Sequence, residues 1–78
     1  MEDLTVNSEI DTKGTKCPMP MLKTKKALAK MLSGEVLRIL ATDPHAEIDL
    51  KQFAQQTRHE FISSNLEDGV YVILMRRK

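Results

Sequence analysis

Asp11-Thr12-Lys13-Gly14-Thr15-Lys16-Cys17-Pro18-Met19-Pro20 marks a change of periodicity, and the fold follows from what lies on either side. Before it, Leu4, Val6 and Ile10 alternate with Thr5, Asn7 and Glu9, the two-residue period of a half-buried strand over 4–11. Within it, Gly14 is free to take the positive φ of a tight loop. After it, two prolines fit the first turn of a helix, where backbone N–H groups have no intrahelical partner to lose. The spacing predicts a helix over 18–32 with Cys17 as N-cap, Pro18 at N1 and Pro20 at N3. Met21, Leu28 and Leu32 form its apolar stripe, with Leu22 and Met31 at the edges and the Lys25 stem lying alongside. Lys23, Lys26 and Lys30 lie opposite, and Ser33-Gly34 ends the helix.

Further along, Glu35 to Ala41 reads as a strand, with Leu37, Ile39 and Ala41 on one face and Arg38 marking the more exposed one. Asp43 and Pro44 suit the N-cap and first turn of a second helix through Thr57, whose apolar face is Ala46, Leu50, Phe53 and Thr57. Glu47 and Lys51 form an i,i+4 pair, and Ile48 points away from the apolar face. Phe61–Glu67 and Val70–Arg77 flank Asp68-Gly69, a pair suited to a two-residue type I′ turn. The last strand is apolar on both faces. In a two-layer fold one of these lacks a covering helix, and Tyr71, Ile73 and Met75 are read as the exposed contact surface. The order is thus β-α-β-α-β-β. A right-handed crossover makes the first two strands parallel. The expected fold is an α/β (α+β) two-layer sandwich, a mixed four-stranded sheet with both helices on one face, forming one domain over 1–78.

Composition excludes several classes of function. The chain has 78 residues, of which 41% are apolar and 29% charged, with a formal net charge of +1. This charge makes no electrostatic case for nucleic acid, and one Tyr, two Phe and no Trp make no base-stacking platform. The apolar run Val70–Met75 is far shorter than the ~20 residues of a membrane-spanning helix. Glu2 and Asp3 are unlike the basic start of a signal peptide. A single cysteine forms no internal disulfide, which fits a reducing compartment. The expectation is a cytoplasmic protein, monomeric in isolation, with no direct nucleic-acid or membrane partner.

Cys17 is the residue with chemistry to offer. At a helix N-terminus its sulfur would face the positive end of the dipole and the free N–H of Met19, with Lys16 and Lys13 adding charge. Such settings lower a cysteine pKa from ~8.5 into the ~3.5–7.5 range. The expectation is therefore an exposed, activated thiolate. Local chemistry also allows a small buried structural cysteine, which the flanking Lys16 and Pro18 oppose.

The pattern Asp11-x-x-Gly14-x-x-Cys17-Pro18-x-Pro20 resembles the signature of the TusA/SirA/YedF family of small sulfur-carrier proteins. Gly34-Glu35, Thr42-Asp43-Pro44 and His59-Glu60 extend the resemblance over essentially the whole chain. It implies the same β-α-β-α-β-β fold and a Cys17 that accepts sulfane sulfur as a persulfide and passes it on. It also implies a cysteine desulfurase or other persulfide donor, a downstream acceptor protein, and a relay of the kind that ends in tRNA 2-thiouridine. The chain departs from the family pattern at Arg58, where many members have glycine, and at Ala54, where some carriers have a second cysteine.

The supporting motif is Gly14, Lys16, Pro18, Pro20 and Asp43. Asp43 is expected to cap the second helix, with a place beside the thiol open to it because it follows a strand parallel to the first. His59 reads as a structural hydrogen-bonding group and His45 as surface. One Cys and two His without close ligand spacing make no metal site, and no cofactor is expected. The alternative to a sulfur carrier is a non-catalytic interaction or regulatory module of the same fold. A self-sufficient thiol redox enzyme is opposed by the absence of a resolving cysteine.

Overall fold

Alternation, turn chemistry and proline placement produce six elements in the computed structural model, which describes residues 5–78. They are β1 (Ser8–Asp11), α1 (Met19–Ala29), β2 (Val36–Ala41), α2 (Pro44–Thr57), β3 (Glu60–Glu67) and β4 (Val70–Arg76). Leu4, the first residue expected in β1, lies outside the described residues. The sheet order is β1-β2-β4-β3, with β1 and β2 parallel and the remaining pairs antiparallel. Asp68 and Gly69 take φ of 50° and 80°, the two positive values that a type I′ hairpin turn requires.

Both helices cover the sheet face on which Leu37 pairs with Met75 and Ile39 with Ile73. These four residues, with Leu28 of α1, Met31 just after α1, and Leu50 and Ala54 of α2, form the core. The register reverses one expectation. Ile73 and Met75 are fully buried beneath the helices, so the open face of β4 carries Val70, Val72 and Leu74, each only half-buried.

Helix α1 stops three residues before the end its sequence suggests. It ends at Ala29, where the Lys30 N–H donates to the Ala27 carbonyl and the Met31 N–H to the Leu28 carbonyl, both at 3.1 Å. This tightened exit swings Met31 into the core and leaves Leu32 72% exposed, off the stripe it was expected to join. The inward face of α1 is instead Pro20, Thr24 and Leu28. Thr24 is fully buried, and its Oγ1 has no hydrogen-bond partner among the described residues. Lys25 lies alongside the apolar face as expected, its Nζ 5.7 Å from the Phe53 ring centroid.

Helix α2 follows its sequence closely. Asp43 caps it, Pro44 starts it, Lys51 and Glu47 pair at 3.8 Å, and Ile48 is 55% exposed. It ends at Arg58, whose φ of 66° and ψ of 16° are left-handed. Arginine therefore occupies a conformation that favours glycine.

Candidate functional site

Two parallel strands bring their C-terminal ends to the same edge of the sheet, and the loops that leave them are tied together. Thr12, fully buried, donates both its N–H and its Oγ1–H to the Leu40 carbonyl, at 2.8 and 2.6 Å. Gly14, at φ 79°, turns the chain so that its N–H donates to Thr42 Oγ1 at 2.9 Å. The Cys17 N–H then donates to Asp43 Oδ2 at 2.9 Å. The other oxygen of the same carboxylate, Oδ1, accepts the His45 N–H at 3.0 Å. Asp43 thus caps α2 and pins the Cys17 loop at once, joining the two roles open to it from the sequence. The Cys17 and His45 N–H groups hold its carboxyl below the usual range, outweighing a small opposing effect of desolvation.

Cys17 sits one residue earlier than the sequence places it. Pro18 is the N-cap of α1, at φ −97° and ψ 15°, and its carbonyl accepts the Leu22 N–H at 3.1 Å. With the Cys17 N–H held by Asp43, the chain enters the helix only after Pro18, and Pro20 lies at N2 rather than N3. The Met19 N–H expected to face the sulfur instead donates to the Lys16 carbonyl at 2.8 Å. Among the described residues no side chain caps α1.

The thiol is exposed, as expected, and its partner is a carboxylate. Cys17 Sγ–H donates to Asp49 Oδ2 at 3.3 Å. That hydrogen bond, followed by desolvation and the negative charges of Asp49 and Asp43, raises the thiol pKa above its ordinary value. The expected lowering of the thiol pKa is therefore corrected in direction: the surroundings of Cys17 raise it. The positive helix end is one residue away with its nearest donor occupied, and two carboxylates stand where cations were anticipated.

Asp49 is the site residue that the sequence reading missed. It lies 32 positions from Cys17. A 100° projection nonetheless sets it at the rim of the Ala46–Leu50–Phe53 stripe, on the flank that meets α1, an uneconomical place for a carboxylate without a task. Lys16 is exposed and lines an open groove of about 430 Å³ with Gly14, Thr15, Thr42, Asp43, Pro44 and His45. Lys13 pairs with Asp11 at 3.7 Å.

His45 is largely exposed, its Nδ1 3.4 Å from Asp43 Oδ1. His59 lies apart from these residues. Its Nδ1 accepts the Lys78 N–H at 3.1 Å and its ring packs against Phe53 at 5.5 Å, with burial and the nearby Lys78 and Arg77 charges lowering its pKa. Among the described residues no group of three His, Cys, Asp or Glu side chains could hold a metal ion, and no helix is long and apolar enough to cross a membrane.

Comparison with known proteins places this arrangement. The family model described as Sulfurtransferase TusA matches residues 8–77. The sulfur carrier protein TusA of Allochromatium vinosum is 41% identical over 71 residues, 91% of this chain and 93% of that protein. A Neisseria meningitidis protein, named only provisionally as a sulfur carrier, is 45% identical over 74 residues, 94% of this chain and 100% of its own length. In shape, the chain resembles a SirA-like protein of Desulfitobacterium hafniense, with a TM-score of 0.80 at 27% identity over 88% of this chain and 95% of that one. With nearly the whole length matched by the family model, the chain belongs to the TusA sulfurtransferase family.

Proposed function

We propose that this protein is a sulfur carrier that holds sulfane sulfur as a persulfide on Cys17 and hands it to an acceptor protein. The observation that carries this reading is the exposure of the chain's one cysteine on a loop fixed through its own main chain. A sulfur that two proteins must reach in turn has to project, and a loop already ordered by Asp43 adds little entropy cost when either docks. The names of the relatives support the same reading.

In the loading step the Cys17 sulfur attacks the outer sulfur of a donor persulfide, R–S–SH. A Cys17–S–SH bond forms, the donor S–S bond breaks, and the R–S⁻ that leaves takes up the proton lost from Cys17. The sulfane sulfur changes hosts without net oxidation. With no second cysteine in the chain to resolve the persulfide, delivery is to another protein, in a relay of the kind that ends in tRNA 2-thiouridine or in another sulfur pathway. A cysteine desulfurase is the natural donor class.

Incubation with a cysteine desulfurase and L-cysteine, read by intact mass, is the test. Wild type should gain the mass of one sulfur atom, and Cys17→Ser should gain none while melting at an unchanged temperature. Wild type that stays unmodified would refute the reading.

A further inference from the structure

A carrier thiol has to wait between donors, and the geometry around Cys17 describes how it waits. The Sγ–H donates to Asp49 Oδ2 at 3.3 Å from α2, and Asp43 stands behind the main chain from the β2–α2 loop, its Oδ2 2.9 Å from the Cys17 nitrogen. The remaining charged groups nearby do not offset this pair. Lys16 is exposed on the loop, and His45 leans on Asp43 Oδ1. Lys25 of α1 lines a depression with Asp49 but lies over the Phe53 ring. Among the described residues no cation forms an ion pair with Asp49.

We propose that Asp49 is a positioning residue that holds the Cys17 thiol protonated in the free carrier, and that a cationic group brought by the sulfur-donating protein against Asp49 releases it. The inference rests on the sulfur-carrier reading and adds a trigger to it. A thiol that donates to a carboxylate keeps its proton because ionisation would set two anions side by side. A cation placed on the carboxylate removes that repulsion, so the thiolate forms where a donor persulfide is already docked. In the free protein the same contact shields the sulfur from adventitious oxidants and electrophiles, which react with thiolates.

The test uses the full chain, wild type against Asp49→Asn and Asp49→Ala, with thermal unfolding confirming that at least one variant is folded. The single cysteine makes alkylation by iodoacetamide an unambiguous readout. Between pH 6 and 10 the midpoint of the rate profile should fall by roughly half to one unit in the variants. This corresponds to a three- to tenfold larger thiolate fraction near neutral pH and, since nucleophilicity falls with pKa, to a roughly two- to fourfold faster reaction. Asn, which can donate to the thiolate, should move it at least as far as Ala. An unchanged or raised midpoint would overturn the first half of the proposal.

Disulfide exchange with cystamine, a dication, and with dithiodipropionate, a dianion, tests the second half. Attraction of one and repulsion of the other at about 5 Å in water amounts to roughly tenfold in their rate ratio before salt screening. Asp49→Asn should remove most of the part due to this residue. A ratio that Asp49→Asn leaves unchanged would overturn the cationic trigger. Neither reagent delivers sulfane sulfur, so these results stand apart from the desulfurase experiment. Failure of sulfur loading with the expected alkylation shift would refute the carrier reading and leave the thiol–carboxylate latch.

Discussion

Replacing Arg58 with glycine tests whether the backbone at the end of α2 carries strain that the fold tolerates. Arg58 closes the helix at φ 66° and ψ 16°. An L-residue with a Cβ in the left-handed region costs roughly 1–2 kcal/mol, whereas glycine adopts it freely but loses about 0.5–1 kcal/mol more entropy on folding. The backbone gain expected from Arg58→Gly is about 0.5–1 kcal/mol. The guanidinium also sits near the negative end of α2, where a cation contributes ~0.3–1 kcal/mol, and glycine forfeits that.

Arg58→Ala separates the two effects, since it loses the charge and keeps the strained backbone. The quantity of interest is therefore the difference between the glycine and alanine variants, about 0.5–1 kcal/mol in favour of glycine. With an unfolding entropy of about 2.1 cal/mol/K per residue over 78 residues, that is roughly 3–6 °C in Tm by far-UV circular dichroism. An alanine variant melting at or above the glycine variant would show that the left-handed turn is not strained, and the reasoning would fail.

Thr24→Val replaces a buried hydroxyl that has no partner with a methyl group of similar size. Leaving such a group unsatisfied costs about 1–3 kcal/mol, so valine should raise Tm by several degrees, and a lower Tm would mean that the hydroxyl is bonded. His59 has its folded pKa depressed below 6.5, chiefly by burial. The unfolded chain therefore binds the proton more readily, and the His59 contribution to stability is complete above pH 6.5 and lost as pH falls through that value and the lower folded one. His59→Asn should flatten the slope of stability against pH in this window, as followed by urea unfolding. Asp43 carries a lowered carboxyl pKa whose causes are the Cys17 and His45 amides. Its contribution is present above 3.8 and lost as pH falls through the folded value. Asp43→Ala should accelerate amide hydrogen exchange at Cys17 and His45 at neutral pH while leaving the β2 and β4 amides slow, and uniform acceleration would refute a local role.

The fold was legible because its determinants are local and periodic. Alternation in Leu37-Arg38-Ile39 set the buried face of β2, Asp68-Gly69 set the hairpin turn, and Asp43-Pro44 set the start of α2 within a residue. What was not legible depended on contacts across the chain. In β4 both faces are apolar, so alternation carries no sign. Only the pairing of Ile73 with Ile39 decides that Tyr71-Ile73-Met75 turns inward. Likewise nothing within 29–32 announces that α1 stops at Ala29. The Leu32 N–H finds its partner in Glu35 Oε1 at 2.9 Å, outside the helix, and the stripe ends with it.

The site divides in the same way, and the division explains why the direction of the Cys17 pKa shift is not legible in its sequence neighbours. Position and exposure follow from Gly14, Pro18 and Pro20, which are adjacent in sequence and constrain the backbone wherever they occur. Ionisation depends on the charges brought up to the cysteine, and those arrive from the N-cap and flank of α2, 26 and 32 residues away. A basic loop, Lys13 to Lys16, counts for less than two aspartates brought in by the fold. Lysine side chains extend into water, while Asp43 and Asp49 are short, fixed at the start and inner flank of one helix, and aimed at the cysteine. Local basicity in sequence is thus a poor guide to the field at a thiol when the loop bearing it is pinned to the acidic start of a second helix.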